Sequence, residues 1–333
     1  MDGWRLIVDV ERCEDCNNCV LACKDEHVGN EWPGYAAAQP LHGQRWIDIE
    51  RTERGDYPLI DVAYLPLTCM QCDEAPCVAA GAGAVRKRED GIVLIDPVLA
   101  RGRRDIVASC PYGVIWWKEE AELPQKCTFC AHLLDGGWAQ PRCVQACPTG
   151  ALAVLRAGDA DMAAIAERDR LEVLHPDYGT APRVYYRNLH RWNTFRVSGT
   201  VTIDRDGVVD CAAGAVVTLR ARVAPTGTAA EGADAAPVAL AVPAATPGVA
   251  AAATVTDPAA SGTSAATVVR PVTMAKTVTD PFGDFAFDGL PAKPVTYLLR
   301  AEIDGYETVQ VDIHVGKSCT VEPLHLTSRS SSS

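Results

Sequence analysis

Cys13-Glu14-Asp15-Cys16-Asn17-Asn18-Cys19-Val20-Leu21-Ala22-Cys23 packs four thiols into one short stretch. A thiolate at every third position lets a loop wrap around one iron-sulfur cubane, while a fourth Cys three or four residues on points toward a different one. Outward from this stretch the signature recurs: Cys69, Cys72 and Cys77, then Cys110 before Pro111, then Cys127 and Cys130, then Cys143 and Cys147 before Pro148. Twelve of the fourteen cysteines fall into these groups, and together they make three four-ligand sets. The reading is three 4Fe-4S centres. Paired C-x-x-C motifs also bind zinc, and in a secreted chain they form disulfides. Zinc takes two separate pairs per ion, whereas Cys13 to Cys23 runs without a break, and the two Cys-Pro endings favour iron-sulfur.

Loops of this ferredoxin type exchange their last ligand, so the expected pairing is crossed. Cys13, Cys16, Cys19 and Cys147 hold the first centre, Cys23, Cys127, Cys130 and Cys143 the second, and Cys69, Cys72, Cys77 and Cys110 the third. Nearest-neighbour pairing is the competing scheme; it keeps Cys23 with Cys13 and Cys147 with Cys143. The crossed template also marks where a fourth centre is missing. Gly81 stands where one ligand belongs, and 97–109, which should carry the other three, has no Cys. Loss of all four ligands of one site reads as removal of a single centre from a four-centre ancestor.

At 333 residues the chain is long enough for two domains, and 48% hydrophobic content supplies their cores. A net charge of -12 argues against nucleic acid or an anionic membrane as partner. No signal peptide opens the chain; residues 1–10 read as a strand, with Leu6, Val8 and Val10 on one face. The long uncharged stretch near 235–256 is Ala-rich and broken by Pro237, Pro243, Pro247 and Gly248, so it lacks the hydrophobicity of a membrane span. Reduced thiols suit the cytoplasm, although a partner's signal can export a bound subunit.

Residues 1–195 hold all twelve grouped cysteines and close on a helix, for which Asp159 is the N-cap ahead of Met162, Ile165 and Ala166. From 196 to 326 the period changes to two. Val217, Leu219, Ala221 and Val223 form one alternating run; Val309, Val311, Ile313 and Val315 form another. Turn signals at Asp206-Gly207, Pro281-Phe282-Gly283 and Asp304-Gly305 separate the runs, which points to a small antiparallel β-sandwich. The fold class is therefore α+β, a ferredoxin-like multi-centre domain followed by that sandwich. An Ala/Pro-rich insertion at about 225–270 is too poor in large apolar groups to offset the entropy of ordering it. The Ser-rich residues 327–333 read as a disordered tail.

Lys126-Cys127-Thr128-Phe129-Cys130-Ala131-His132 and Pro141-Arg142-Cys143-Val144-Gln145-Ala146-Cys147-Pro148-Thr149-Gly150-Ala151 resemble the electron-transfer β subunits of the dimethyl sulfoxide reductase family of molybdenum enzymes. Within it, the three-centre form is similar to the small subunits of the pyrogallol-phloroglucinol transhydroxylase and resorcinol hydroxylase group. So are Asn30-Glu31-Trp32-Pro33-Gly34-Tyr35, Gly91-Ile92-Val93-Leu94-Ile95-Asp96-Pro97 and Pro182-Arg183-Val184-Tyr185-Tyr186. The resemblance spans nearly the whole chain. It implies a C-terminal sandwich of prealbumin or carboxypeptidase-regulatory type. It also implies a large partner chain, in a heterodimer, that carries bis-molybdopterin guanine dinucleotide molybdenum and performs the chemistry on polyhydroxybenzenes in anaerobic aromatic degradation. This chain then has no catalytic residue and no membrane anchor. The insertion departs from the transhydroxylase pattern and leaves the substrate open. The alternatives are a subunit of another molybdopterin oxidoreductase, a free-standing polyferredoxin, or a zinc-bearing adaptor.

Four further features invite assignment. His132 reads as a hydrogen-bonding neighbour of a centre rather than a ligand. Trp116 and Trp117 read as cover for a cysteine loop. The charged run 48–56 reads as a solvated face or a docking patch. Cys211 and Cys319, outside every spacing pattern, read as buried small hydrophobes.

Overall fold

A computed structural model describes residues 2–222 and 273–329. The Ala/Pro-rich segment and residues 330–333 lie outside the described residues. The chain is mostly β with few, short helices, and it divides into two compact units. One comprises Met1–Thr52 and Ala63–Trp192; the other comprises Glu53–Val62 and Asn193–Ser333. A linear division at residue 195 leaves out the excursion of 53–62 into the second unit.

In the first unit the strand Gly3–Asp9 is central. It pairs antiparallel with Leu152–Ala157 and parallel with Val184–Arg187. Leu6, Val8 and Val10 pack into the main core as their alternation predicts. Ile7, on the opposite face, is also buried, because it packs with Met162 of the helix Asp159–Asp169. That helix begins one residue earlier than predicted. Extended Gly158 is the N-cap, and Asp159 is the first helical residue. There, beside Asp161, it complements the positive end of the helix dipole and pairs with Arg5, whose side chain is only 2% exposed. Two two-stranded ribbons, Val85–Lys87 with Val93–Ile95 and Trp116–Lys118 with Leu123–Gln125, lie in this unit, and a third, Ile47–Arg54 with Asp61–Thr68, has its far ends in the 53–62 excursion.

In the second unit, Phe195–Arg205 organises a five-stranded sheet, and a four-stranded sheet runs in the order Thr273–Val278, Val216–Ala221, Val295–Glu302, Val309–Val315. Apolar side chains of both sheets meet in one core, including Val201, Val217, Phe287 and Leu299. The four-stranded sheet is antiparallel throughout, as the alternation suggested. In the other sheet, Cys319–Thr320 and Leu324–Leu326 pair parallel to Phe195–Arg205, so a purely antiparallel arrangement does not hold. Asp206 and Gly207 both take positive φ, the two-residue turn whose twist matches a hairpin. Gly283 is required where it stands: a Cβ there would collide with the Val201 carbonyl oxygen.

Two expectations fail at the margins. Val309–Val315 is an edge strand, and Val311 is exposed although its alternation predicted one buried face. Residues 327–329, expected to open a disordered tail, are tied down. Glu307 N–H donates to the Thr327 carbonyl at 2.8 Å, and Arg329 N–H donates to that of Gly305 at 2.9 Å.

Leu299 is fully buried where the two sheets meet. Leu299→Ala is expected to cost about 2–5 kcal/mol of stability, read as an earlier loss of β circular dichroism in a denaturant titration of the full chain.

Candidate iron-sulfur centres

Each cysteine loop is shaped by the same backbone device. Two residues after the leading Cys of each group, Asp15, Gln71 and Phe129 adopt left-handed conformations with φ of 54°, 50° and 57°. Non-glycine residues rarely take this region. Its use at one offset in three loops turns the chain back over the sulfur. Phe129 N–H donates to the Cys127 Sγ at 3.3 Å, and the Asp15 N–H does the same for Cys13. The two Cys-Pro endings form a second device. Pro has no N–H and stops the local helix, and the chain beyond it turns its amides toward the sulfur. Cys110 accepts from the amides of Val114, Tyr112 and Gly113. Burial opposes ionisation of Cys147. Even so, the amides of Leu152, Ala151 and Thr149, with the Thr149 hydroxyl, hold this thiol below its ordinary value.

Two pockets gather cysteines from different groups. Cys69, Cys72, Cys77 and Cys110 line one pocket, walled by Val93, Val114 and Ile115. Cys23, Cys127, Cys130 and Cys143 line another, walled by Leu6, Ile47 and Phe129. Cys13 and Cys19 each lie within electrostatic reach of Cys16 and Cys147. Among the described residues no three His, Cys, Asp or Glu converge on a single-ion site; two of the sets ring cavities instead. A soft donor set of four sulfurs in largely apolar surroundings fits 4Fe-4S chemistry. Burial raises the thiols, Cys19, Cys72 and Cys130 to about 12 and Cys77 to about 11, and neighbouring cysteines add to the shift. In these surroundings the thiolate form calls for a cation at the centre of the ring.

The three sets follow one another in space. Cys19 and Cys23 lie one turn apart on the helix Asn18–His27, about 6 Å along its axis, so one rigid element serves the first and second sets. Cys127 of the second set feels Cys69 of the third. The first set lies nearest solvent: Cys16 is exposed, and Cys13 and Cys147 are half-buried.

The region of the absent fourth centre is filled. A Cβ on Gly81 would meet Val85 Cγ2 at 2.5 Å. Ala100 and Ile106, from the segment that should carry the other ligands, are completely buried with Val85, Ile95 and Ile115. Arg103 caps the spot by donating to the Ala80 carbonyl at 2.7 Å and the Gly81 carbonyl at 3.3 Å.

His132 does not line either cavity; it bonds Glu26 at 3.0 Å and stacks on Trp32 at 4.1 Å. His27 does line the second cavity and escaped the sequence reading, although its place four residues after Cys23 puts it on the same helix face. Burial, followed by the nearby His132, pushes His27 down to about 3, so its ring is neutral. Trp116 packs against the main core and donates to the Arg45 carbonyl at 3.1 Å, while Trp117 bonds Glu119 at 2.9 Å and lies under the Arg104 guanidinium. The run 48–56 is not a uniformly solvated face: Arg54 is buried and pairs with Asp61 and Asp288. Cys211 is exposed and Cys319 half-buried, so neither is the fully buried thiol expected.

A family model described as "4Fe-4S dicluster domain" matches residues 60–157. That span holds eight of the twelve grouped cysteines; Cys13 to Cys23 precede it. The chain is 48% identical over 223 residues to the pyrogallol hydroxytransferase small subunit of Pelobacter acidigallici, covering 66% of this chain and 80% of that one. It is 35% identical to a putative dimethyl sulfoxide reductase iron-sulfur subunit of Halobacterium salinarum, covering 56% of this chain and 80% of that one. It is 31% identical to a tetrathionate reductase subunit of Salmonella typhimurium, covering 56% and 72%. The aligned two thirds of this chain is less than the near-complete span expected from the motifs.

If the sets are crossed, Cys147→Ser and Cys13→Ser will perturb the same paramagnetic signal, and each will lose about four irons. Cys23→Ser will instead share its signal change with Cys143→Ser. Electron paramagnetic resonance of dithionite-reduced protein reads the difference; different signals for Cys13 and Cys147 would favour nearest-neighbour pairing.

Proposed function

The chain belongs to the iron-sulfur electron-transfer subunits of the dimethyl sulfoxide reductase family of molybdopterin oxidoreductases, and we propose that it serves a partner that hydroxylates or transhydroxylates polyhydroxybenzenes. The observation that carries this reading is the 48% identity to a pyrogallol hydroxytransferase small subunit over 80% of that chain. The proposed partner is a large subunit holding bis-molybdopterin guanine dinucleotide molybdenum, in a heterodimer. Resorcinol and pyrogallol or phloroglucinol are the proposed substrates. No helix among the described residues is long and apolar enough to cross a membrane.

Three centres are proposed on this chain, held by the three crossed sets given above. A bound 4Fe-4S centre supplies one-electron acceptance and donation. The residues of this chain do the rest. Twelve thiolates bind; Leu6, Ile47 and Phe129 around one set, and Val93, Val114 and Ile115 around another, exclude water. Amides aimed at Cys13, Cys110, Cys127 and Cys147 stabilise negative charge on sulfur. The Asn18–His27 helix fixes the spacing of the first two sets. The meeting of two sheets in one core supports reading the second unit as a sandwich of prealbumin or carboxypeptidase-regulatory type. Its proposed role is to stabilise the complex or cover a face of the partner.

Anaerobic isolation of the native complex is expected to give about twelve irons on this chain and molybdenum on a co-purifying larger one, with turnover of pyrogallol or resorcinol. Turnover of pyrogallol without an external acceptor identifies transfer. An iron-loaded chain with no molybdenum companion would overturn the subunit reading in favour of a free polyferredoxin.

A further inference from the structure

Three Lys or Arg side chains are buried to 3% exposure or less among the described residues: Arg5, Arg54 and Lys126. Arg5 pairs with Asp73 and Asp159, and Arg54 with Asp61 and Asp288. Lys126 has no carboxylate partner among the described residues. Its Nζ donates to the Val93 carbonyl at 2.5 Å and the Cys127 carbonyl at 3.1 Å, both neutral acceptors, and it also hydrogen-bonds the Cys69 side chain. A buried cation is costly unless an opposite charge compensates it. Lys126 lines the cavity ringed by Cys69, Cys72, Cys77 and Cys110, and it lies within electrostatic reach of Cys69 and Cys77 on one side and Cys127 on the other. The negative charge that would compensate it is therefore on the sulfurs of the second and third sets.

Lys87 provides a contrast within the same unit. It also approaches the third set, donating to the Cys72 carbonyl at 2.7 Å, but it pairs with Asp73 at 2.8 Å, a carboxylate it shares with Arg183 and Arg5. Of these two lysines only Lys126 lacks a carboxylate partner among the described residues. Reduction adds one negative charge to a centre, and a fixed positive charge in a water-excluded cavity favours that state with little screening.

We propose that Lys126 is a positioning residue for electrons: its buried, carboxylate-free ammonium between the second and third sets raises the reduction potential of the third centre. The proposal rests on the three-centre reading. Iron analysis of the unaltered chain tests that reading first, and the Lys126 variants are informative only once it holds about twelve irons.

The test is a redox titration followed by electron paramagnetic resonance on the full complex with Lys126→Met, Lys126→Gln and Lys126→Arg. In a neutral variant that keeps its iron, the oxidised-to-reduced ratio of the third centre at a given potential should rise at least tenfold. This is a fall in midpoint of about 59 mV for a one-electron couple. The second centre should shift less, the solvent-nearest first centre should not move, and Lys126→Arg should hold the unaltered values. Loss of third-centre iron in both neutral variants, with retention in Lys126→Arg, would equally show that the charge is what the centre requires. Two results would overturn the proposal. One is a neutral variant with full iron and an unmoved or uniformly shifted set of potentials; the other is loss of the third centre from all three variants, which would make Lys126 a packing residue.

Discussion

Gathering thiolates in apolar space is the constraint from which the first unit takes its form. Each sulfur in the second and third sets gives up hydration and faces three others of like charge, so the unbound thiols are driven toward protonation. Binding of iron reverses that balance, and in small metalloproteins such binding energy is folding energy. The architecture agrees with this dependence. The first unit has one three-stranded sheet, short ribbons and short helices, and cysteines of every group sit in or against its main core. The second unit carries none of the grouped cysteines and closes two sheets on a conventional apolar core.

What the sequence revealed follows from how local each signal is. Cysteine spacing is set by loop geometry over a few residues, so the groups were legible; the crossed pairing, proposed from the direction in which the last ligand of each group leaves its loop, needs contacts between distant segments. The strand at the N-terminus was legible, but the burial of Ile7 was not, because the helix that covers it lies more than 150 residues away. Arg54 looked like one more charge in a solvated run; its burial depends on Asp288, 234 positions on. Val311 shows the opposite failure, a correct period without a neighbouring layer to bury it, since its strand lies at a sheet edge. Lys126 was part of the string that carried the family resemblance, yet nothing local shows that a lysine beside a cysteine is buried without a counterion.

The packing around Gly81 shows how a position where ligands were expected is filled without them. Removing four cysteines from a ring leaves a void that costs stability until it is packed. Here Ala100, Ile106 and Val85 occupy the space, Gly81 gives them room, and Arg103 satisfies the carbonyls at the end of the Pro76–Gly81 helix. These residues form a small core of their own with Cys77 of the third set. That packing also supports Cys77, a ligand of the proposed third set.

In the proposed crossed pairing, the single helical turn between Cys19 and Cys23 has a consequence for transfer between the two sites they would serve. Tunnelling falls off steeply with separation, and here that separation is set by backbone hydrogen bonds rather than by side chains free to change rotamer. The helix acts as a ruler: the two sites cannot drift apart without breaking it, and ordinary thermal motion of the surface leaves the hop between them unchanged.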